Sequence, residues 1–88
     1  MRLTANAVEM IHALTAEADL PDGGLRIAQE QEHPGLTMQL AREPGNDDDV
    51  LESDGAQLFL DRVAADRLRG QTLDARKTDA GSAFFLGD

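Results

Sequence analysis

One histidine and two glutamates stand close together in the sequence and form its first candidate for metal chemistry. Glu30 and Glu32 precede His33 within four residues. Imidazole nitrogen binds iron or zinc and carboxylate oxygen binds divalent cations, so these three side chains are candidate metal ligands. If the preceding strand extends this far, Glu30 and Glu32 share one face of it and His33 points to the other. The competing interpretation is an exposed loop histidine, which the turn-forming Pro34-Gly35 favours.

An acidic run at 47–49, followed by Glu52 and Asp54, is the second candidate. Clustered carboxylates bind hard cations such as calcium. The EF-hand loop, however, requires acidic residues at alternating positions around a central glycine, and the sequence Asp-Asp-Asp-Val-Leu-Glu does not have that spacing. We therefore interpret 43–49 as a solvated loop.

Enzymatic motifs are missing from the sequence, and we predict that the chain is not an enzyme. It contains no cysteine, which removes thiolate metal sites and cysteine nucleophiles. The Gly23-Gly24 pair lacks the Lys-Ser/Thr of a phosphate-binding loop. His12, the other histidine, has Val8 and Ala16 one helical turn away instead of a glutamate, so we interpret it as a partly exposed helix residue.

The charge balance argues against nucleic-acid and membrane partners. The 88 residues include 8 basic and 17 acidic side chains, for a net charge of −9. Such a surface repels phosphate backbones and anionic lipids, and three Phe without Trp or Tyr offer few faces for stacking bases. The N-terminus has no apolar signal-peptide region and no apolar run is long enough to span a membrane, so we expect a cytoplasmic protein.

Hydrophobic spacing predicts that the chain begins with a helix and continues into a hairpin. Thr4 is suited to cap the helix, and apolar residues recur at three- and four-residue steps as far as Ala18. The alternating segments 25–30 and 36–42 predict two half-buried antiparallel strands. One face of the second strand carries Leu36, Met38 and Leu40.

The middle of the chain carries the most specific spacing. A short strand is predicted at 50–52, a tight turn at Asp54-Gly55, and a strand buried on both faces at 56–60. Asp61 is suited to cap a short helix that ends at Gly70. Two more strands are predicted at 71–76 and 82–86, separated by a turn at 77–81. The predicted fold class is therefore α+β and strand-dominated.

The Phe-Phe-Leu run at 84–86 has two open interpretations. It is a core strand, or, if Phe85 faces outward, it is an apolar patch on an edge strand. In the second case a protein partner or another copy of the chain is able to add to that edge.

Taken in order, these motifs resemble those of the HesB/IscA-like family of A-type iron–sulfur cluster carriers, also called the iron–sulfur cluster biogenesis domain. The family's opening Leu-Thr and its Gly-Leu-Arg-Ile run are matched at 3–4 and 24–27. Its Gly-x-x-apolar-x-apolar-Asp and Leu-x-Gly-x-x-apolar-Asp runs are matched at 55–61 and 68–74, and its Gly-x-x-Phe strand at 81–84. The resemblance covers nearly the whole chain.

The resemblance implies one domain over 1–88, with two small mixed β-sheets packed together, an N-terminal helix and a short second helix. It also implies an iron or cluster site made by a cysteine after the Gly-Leu-Arg-Ile strand and a Cys-x-Cys in a C-terminal tail. Here the loop reads Gln-Glu-His-Pro-Gly, with His33 or Pro34 at the cysteine's place, and the sequence given ends at Asp88, where that tail would begin. Because thiolates hold iron–sulfur clusters, we expect no cluster and no other cofactor.

Two functional hypotheses follow. In the first, the chain is a cysteine-free homologue of the carriers that acts as a non-catalytic protein-interaction domain, with a protein partner or a second copy docking on the C-terminal strand. In the second, it binds iron or another metal through His33, Glu30 and Glu32.

Overall fold

The computed structural model of the chain describes residues 1–29, 32 and 35–87. In this part of the chain, strands outnumber helices, as the predicted strand-dominated α+β class requires. In chain order the elements are β1 (Arg2–Leu3), α1 (Ala5–Glu17), β2 (Gly24–Gln29), β3 (Leu36–Ala41), β4 (Asp49–Ser53), β5 (Ala56–Leu60), α2 (Arg62–Arg67), β6 (Thr72–Thr78) and β7 (Gly81–Gly87).

The strands form two mixed sheets. The three-stranded sheet has the order β1-β6-β7, with β1 parallel and β7 antiparallel to β6. The four-stranded sheet has the order β3-β2-β5-β4, with β2 and β5 parallel and the two outer pairs antiparallel. Helix α1 contacts strands of both sheets, so its buried side chains join the two sheets into one core. The two mixed sheets and the two helices agree with the predicted architecture.

Helix α1 has the predicted boundaries because both of its ends are capped. The Thr4 side chain accepts a hydrogen bond from the Ala7 amide at 3.1 Å, which satisfies a donor of the first turn. Ala18 is the C-cap, and Asp19 then adopts a left-handed backbone conformation with φ 58°. This conformation turns the chain out of the helix before Pro21.

Strand β5 is buried on both faces, as its uninterrupted apolar sequence predicts. Leu58 points to the main core, and Phe59, on the opposite face, is also almost fully buried. Strand β2 differs from its prediction as a half-buried strand. Leu25, Ile27 and Ala28 are all buried, because β2 lies inside the sheet between β3 and β5.

The short turn and helix in the middle of the chain follow their local signals. Asp54 and Gly55 have φ values of 49° and 86°, which are the two positive values that a type I′ hairpin turn requires. Asp61 caps α2, and Gly70, with φ 79°, follows the end of that helix.

Besides the burial of β2, three features differ from the predictions. Strand β1 was not predicted, because it has two residues and pairs with β6 across almost the whole chain. Lys77 and Thr78 lie in β6 and not in a turn, since the antiparallel pairing continues to the Thr78–Gly81 pair. Met38 was predicted to share one face of a half-buried strand with Leu36 and Leu40, yet it is 37% exposed because β3 is an edge strand.

Candidate functional site

The metal site predicted at His33, Glu30 and Glu32 falls mostly outside the described residues. Glu30 and His33 are not among them, and Glu32 is an exposed turn residue between β2 and β3. The three ligands therefore stay a prediction. Elsewhere in residues 1–29, 32 and 35–87, no three histidine or acidic side chains converge as a metal site requires.

The acidic run at 47–49 is divided between the interior and the surface. The Asp48 carboxylate turns inward and accepts hydrogen bonds from Arg26 Nε at 2.7 Å and from Arg26 Nη2 at 3.0 Å. The Gly45 amide adds a third bond at 2.7 Å. The hydrogen bond from Arg26 lowers the pKa of Asp48, and Asp48 in turn raises the pKa of Arg26. The interpretation of 43–49 as a uniformly solvated loop was therefore wrong at Asp48, whose oxygens are already occupied.

The two flanking aspartates face arginines instead of a cation site. Asp47 and Asp49 line a groove of about 560 Å³ whose opposite wall belongs to α2 and the turn after it. That wall carries Arg62 and Arg69. Because carboxylates and guanidinium groups share the groove, its electrostatic character is mixed, and it does not concentrate negative charge as a calcium site does.

The aspartates that end two of the family motifs hold the fold together. Asp61 Oδ1 accepts from the Ala64 amide at 2.7 Å and Oδ2 from the Gln29 amide at 3.0 Å. One carboxylate thus caps α2 and also fixes the end of β2. Its two oxygens are used in structural bonds, which gives this motif residue a structural role.

Asp74 makes the corresponding connection in the other sheet. Its Oδ1 accepts from the Thr4 hydroxyl at 2.7 Å and from the Ala75 amide at 2.8 Å. The hydrogen bond from Thr4 lowers the pKa of Asp74, because it favours the charged carboxylate. The N-cap of α1 and strand β6 are joined through this pair.

Gly24, the first residue of the Gly-Leu-Arg-Ile motif, is required by a close backbone approach. A Cβ atom at this position would lie 2.5 Å from the Gln57 carbonyl oxygen of β5. Strand β2 is therefore able to pair with β5 at this point because residue 24 has no side chain.

His12 connects α1 to the β4–β5 turn. Its Nε2 lies 2.9 Å from the Asp54 carbonyl oxygen, and since a carbonyl oxygen accepts hydrogen bonds, Nε2 is the donor. The residue is exposed, as predicted, but the sequence did not indicate this contact. The ring nitrogen that donates is not available to a metal.

A larger groove of about 690 Å³ runs between α1 and the β6–β7 hairpin. Met10 and Ala13 supply apolar surface, Glu9 and Glu17 lie on the helix side, and Lys77 lies on the hairpin side. Arg76 and Ser82 also lie on the hairpin side, so acidic residues of the helix and basic residues of the hairpin line the same groove. In the described part of the chain, no helix has the length and apolar character needed to cross a membrane.

Sequence comparison identifies one relative along almost the full length of the chain. The uncharacterized protein blr1755 of Bradyrhizobium diazoefficiens is 31% identical over 87 residues, which span 96% of this chain and 82% of that protein. No family model matches the chain.

Comparison with solved structures finds three proteins whose fold is similar to that of this chain. The crystal structure of Escherichia coli SufA, described as involved in biosynthesis of iron–sulfur clusters, matches with a TM-score of 0.80 and 28% identity over 99% of this chain and 83% of SufA. The crystal structure of IscA with a 2Fe-2S cluster matches with a TM-score of 0.71 and 24% identity, again over 99% of this chain and 83% of that one. A solution structure of an Aquifex aeolicus protein matches with a TM-score of 0.78 and 23% identity, over 100% of this chain and 90% of that one. The two matches below 25% identity establish the fold alone.

Proposed function

Because the chain belongs to the HesB/IscA-like family and contains no cysteine, we propose that it is a non-catalytic, protein-binding homologue of the iron–sulfur cluster carriers that holds no cluster itself. The observation that carries this proposal is that the carrier fold occurs here without cysteine. The fold matches SufA over 99% of the chain, while the residue type that holds iron–sulfur clusters does not occur in it.

The state of the motif carboxylates supports the same proposal. Asp61 caps α2, Asp74 accepts from the hydroxyl of the α1 N-cap residue Thr4, and Asp48 is paired with Arg26. These carboxylates are therefore committed to the scaffold, and none of them is placed as a general acid or base with a free partner. The chain shares the fold of SufA and carries a net charge of −9, and shape and charge are properties that a protein partner recognises.

Anaerobic reconstitution tests whether a cluster binds. The chain is incubated with iron and sulfide, desalted, and examined for visible absorption and for iron and sulfide content, with SufA treated in parallel. We expect a colourless protein without stoichiometric iron or sulfide. A stable chromophore with iron and sulfide in fixed proportion would contradict the proposal.

Partner binding needs a separate measurement. The tagged chain is used to capture proteins from native lysate, and each captured protein is purified and titrated by isothermal calorimetry. We expect at least one saturable complex of defined stoichiometry. Lack of any such complex would remove the support for an interaction domain, whatever the outcome of reconstitution.

Metal binding through His33, Glu30 and Glu32 is the second candidate function, motivated by the clustering of these three candidate ligands within four residues. Equilibrium dialysis against iron(II) or zinc(II) measures it directly. In this case we expect stoichiometric metal that is lost in His33→Ala and retained in the matched variant His12→Ala. Equal retention in both variants, or no metal in the unmodified chain, would contradict it.

A further inference from the structure

The groove between α1 and the β6–β7 hairpin has the length of a helical segment. Its helix side consists of Asn6, Glu9, Met10, Ala13, Leu14 and Glu17. At a rise of 1.5 Å per residue, the stretch from the first to the last of these residues covers about 16 Å, or about three helical turns. A second helix of three turns or more is therefore able to lie along the groove beside α1.

Apolar residues form the centre of the groove. Met10 is buried, Leu14 is half-buried and packs against the core, and Ala75 of β6 is buried. Ala13, by contrast, is an exposed residue of the helix side. Because the distance between two packed helices depends on the side chains at the contact, this small residue allows an opposing helix to come close.

The two sides of the groove carry opposite charges. Glu9 and Glu17 are exposed on the helix side, and Lys77 is exposed on the hairpin side. Lys77 lies two residues beyond the buried Ala75 of β6, so its side chain is on the core face of the hairpin. Among the described residues, no ion pair involves any of these three charged groups. Their charges are therefore available to a partner.

Glu17 is placed unfavourably for the helix that contains it. It is the last residue of α1, and the final turn of this helix contains no basic side chain. The carboxyl end of a helix carries a partial negative charge, which repels a carboxylate and attracts a cation. A basic group of a partner beside Glu17 is therefore attracted by the carboxylate and by the helix end together.

The helices in the described part of the chain do not have the properties that the groove requires. Helix α1 contains two glutamates and no lysine or arginine, so it has no basic side chain to place beside Glu9 and Glu17 of another copy. Helix α2 has six residues, which is less than two turns. A helix of a different protein therefore fits the groove better than a helix of a second copy.

We propose that the groove between α1 and the β6–β7 hairpin binds an amphipathic helix of a protein partner. The apolar stripe of that helix packs on Met10 and Leu14, a row of basic residues lies beside Glu9 and Glu17, and an acidic residue lies beside Lys77. This inference rests on the proposed function, since it names the surface and the kind of partner through which a protein-binding chain acts.

Selection from a displayed library of helices of about 18 residues, or five turns, tests the charge pattern. Every member has the same apolar stripe, and each position that flanks the stripe is randomised between lysine and glutamate. We expect the selected helices to carry lysine on one flank and glutamate on the other. Selection of helices with lysine on both flanks would mean that the net charge of −9 alone attracts them, and it would overturn the proposal. A library without enrichment would also overturn it.

Matched arginine variants locate the binding site. Ala13→Arg places a long, charged side chain in the groove, whereas Ala16→Arg makes the same substitution at an exposed alanine of α1 outside it. Fluorescence anisotropy measures the Kd of the selected peptide. We expect the Kd to rise about tenfold or more in Ala13→Arg and to stay within about twofold in Ala16→Arg. Circular dichroism establishes that both variants are folded.

Calorimetry on a protein captured from native lysate separates this inference from the proposed function. An affinity that is lowered in Ala13→Arg alone supports the groove as the docking site. An affinity that is unchanged in Ala13→Arg, or lowered equally in both variants, would overturn the groove and leave the proposed function intact. If no protein is captured, the proposed function loses its support, while the peptide titration still decides whether the groove binds a helix.

Discussion

Arg26 and Asp48 form a two-point ion pair that fastens the acidic loop to strand β2. The guanidinium group donates to both carboxylate oxygens, at 2.7 and 3.0 Å, across 22 positions of sequence. The Asp48 side chain is 3% exposed and that of Arg26 is 27% exposed. A bidentate pair so well shielded from water contributes more to stability than an ordinary surface ion pair. The arginine of the Gly-Leu-Arg-Ile motif therefore has a structural partner.

Removing the charge of Asp48 is expected to destabilise the fold. Asp48→Asn keeps the shape of the side chain but weakens its bonds to Arg26, and we expect a loss of about 1.5–3 kcal/mol in the free energy of unfolding. Urea titration followed by circular dichroism measures this change. Asp49→Asn removes the same charge at an exposed neighbour and is expected to change stability by less than about 0.5 kcal/mol. Equal losses in the two variants would contradict the assignment.

Acid is expected to weaken the fold through Asp48 and Asp74. The pKa of each is lowered in the folded chain, by Arg26 and by Thr4 respectively. The unfolded chain therefore binds more protons than the folded chain below the ordinary aspartate pKa of about 3.9. The stabilisation is complete above that pH and is lost as the pH falls through the lowered values.

The measurement for acid sensitivity is the free energy of unfolding as a function of pH, for the unmodified chain and for Asp48→Asn. Protonation of the excess acidic residues relieves repulsion in both proteins, so the difference between the two curves isolates the contribution of Asp48. We expect that difference to shrink as the pH falls. A difference that is independent of pH would show that the charge of Asp48 is not responsible.

The contributions of Thr4 and Asp74 to the stability of the fold are expected to be coupled. The Thr4 hydroxyl accepts from the Ala7 amide and donates to Asp74, so one side chain serves helix α1 and strand β6 together. Thr4→Ala is expected to cost about 0.5–2 kcal/mol through loss of the N-cap. Thermal unfolding of Thr4→Ala, Asp74→Asn and the double variant gives the coupling. Additive effects would mean that the two residues act independently.

Gly24 is expected not to tolerate even a methyl group. Gly24→Ala places Cβ 2.5 Å from the Gln57 carbonyl oxygen, so β2 and β5 must separate, at a cost of about 1–3 kcal/mol. Gly35→Ala is the matched control, because its Cβ meets no atom of the described residues within 4 Å. Chemical denaturation compares the two variants. Similar stabilities would contradict the required close approach.

Much of the fold was predictable because its signals are local. Thr4 and Asp61 cap the helices that follow them, and Asp54-Gly55 forms the expected tight turn, with the backbone angles of type I′. Each of these features depends on backbone groups within a few residues. The candidate site was much less predictable. The sequence indicated three clustered candidate ligands at Glu30, Glu32 and His33, but clustering along a chain does not establish that side chains converge on one point.

The amino-acid sequence by itself determined the order of the elements after β1, the strand-dominated α+β class, the family resemblance and the lack of cysteine thiolates. Only the tertiary structure decided that Asp48 turns inward to Arg26, that Asp74 reaches Thr4 and that Phe85 is exposed on β7. The physical reason is the same in each case. These outcomes depend on groups that lie far apart in the chain and meet only when the sheets assemble around α1.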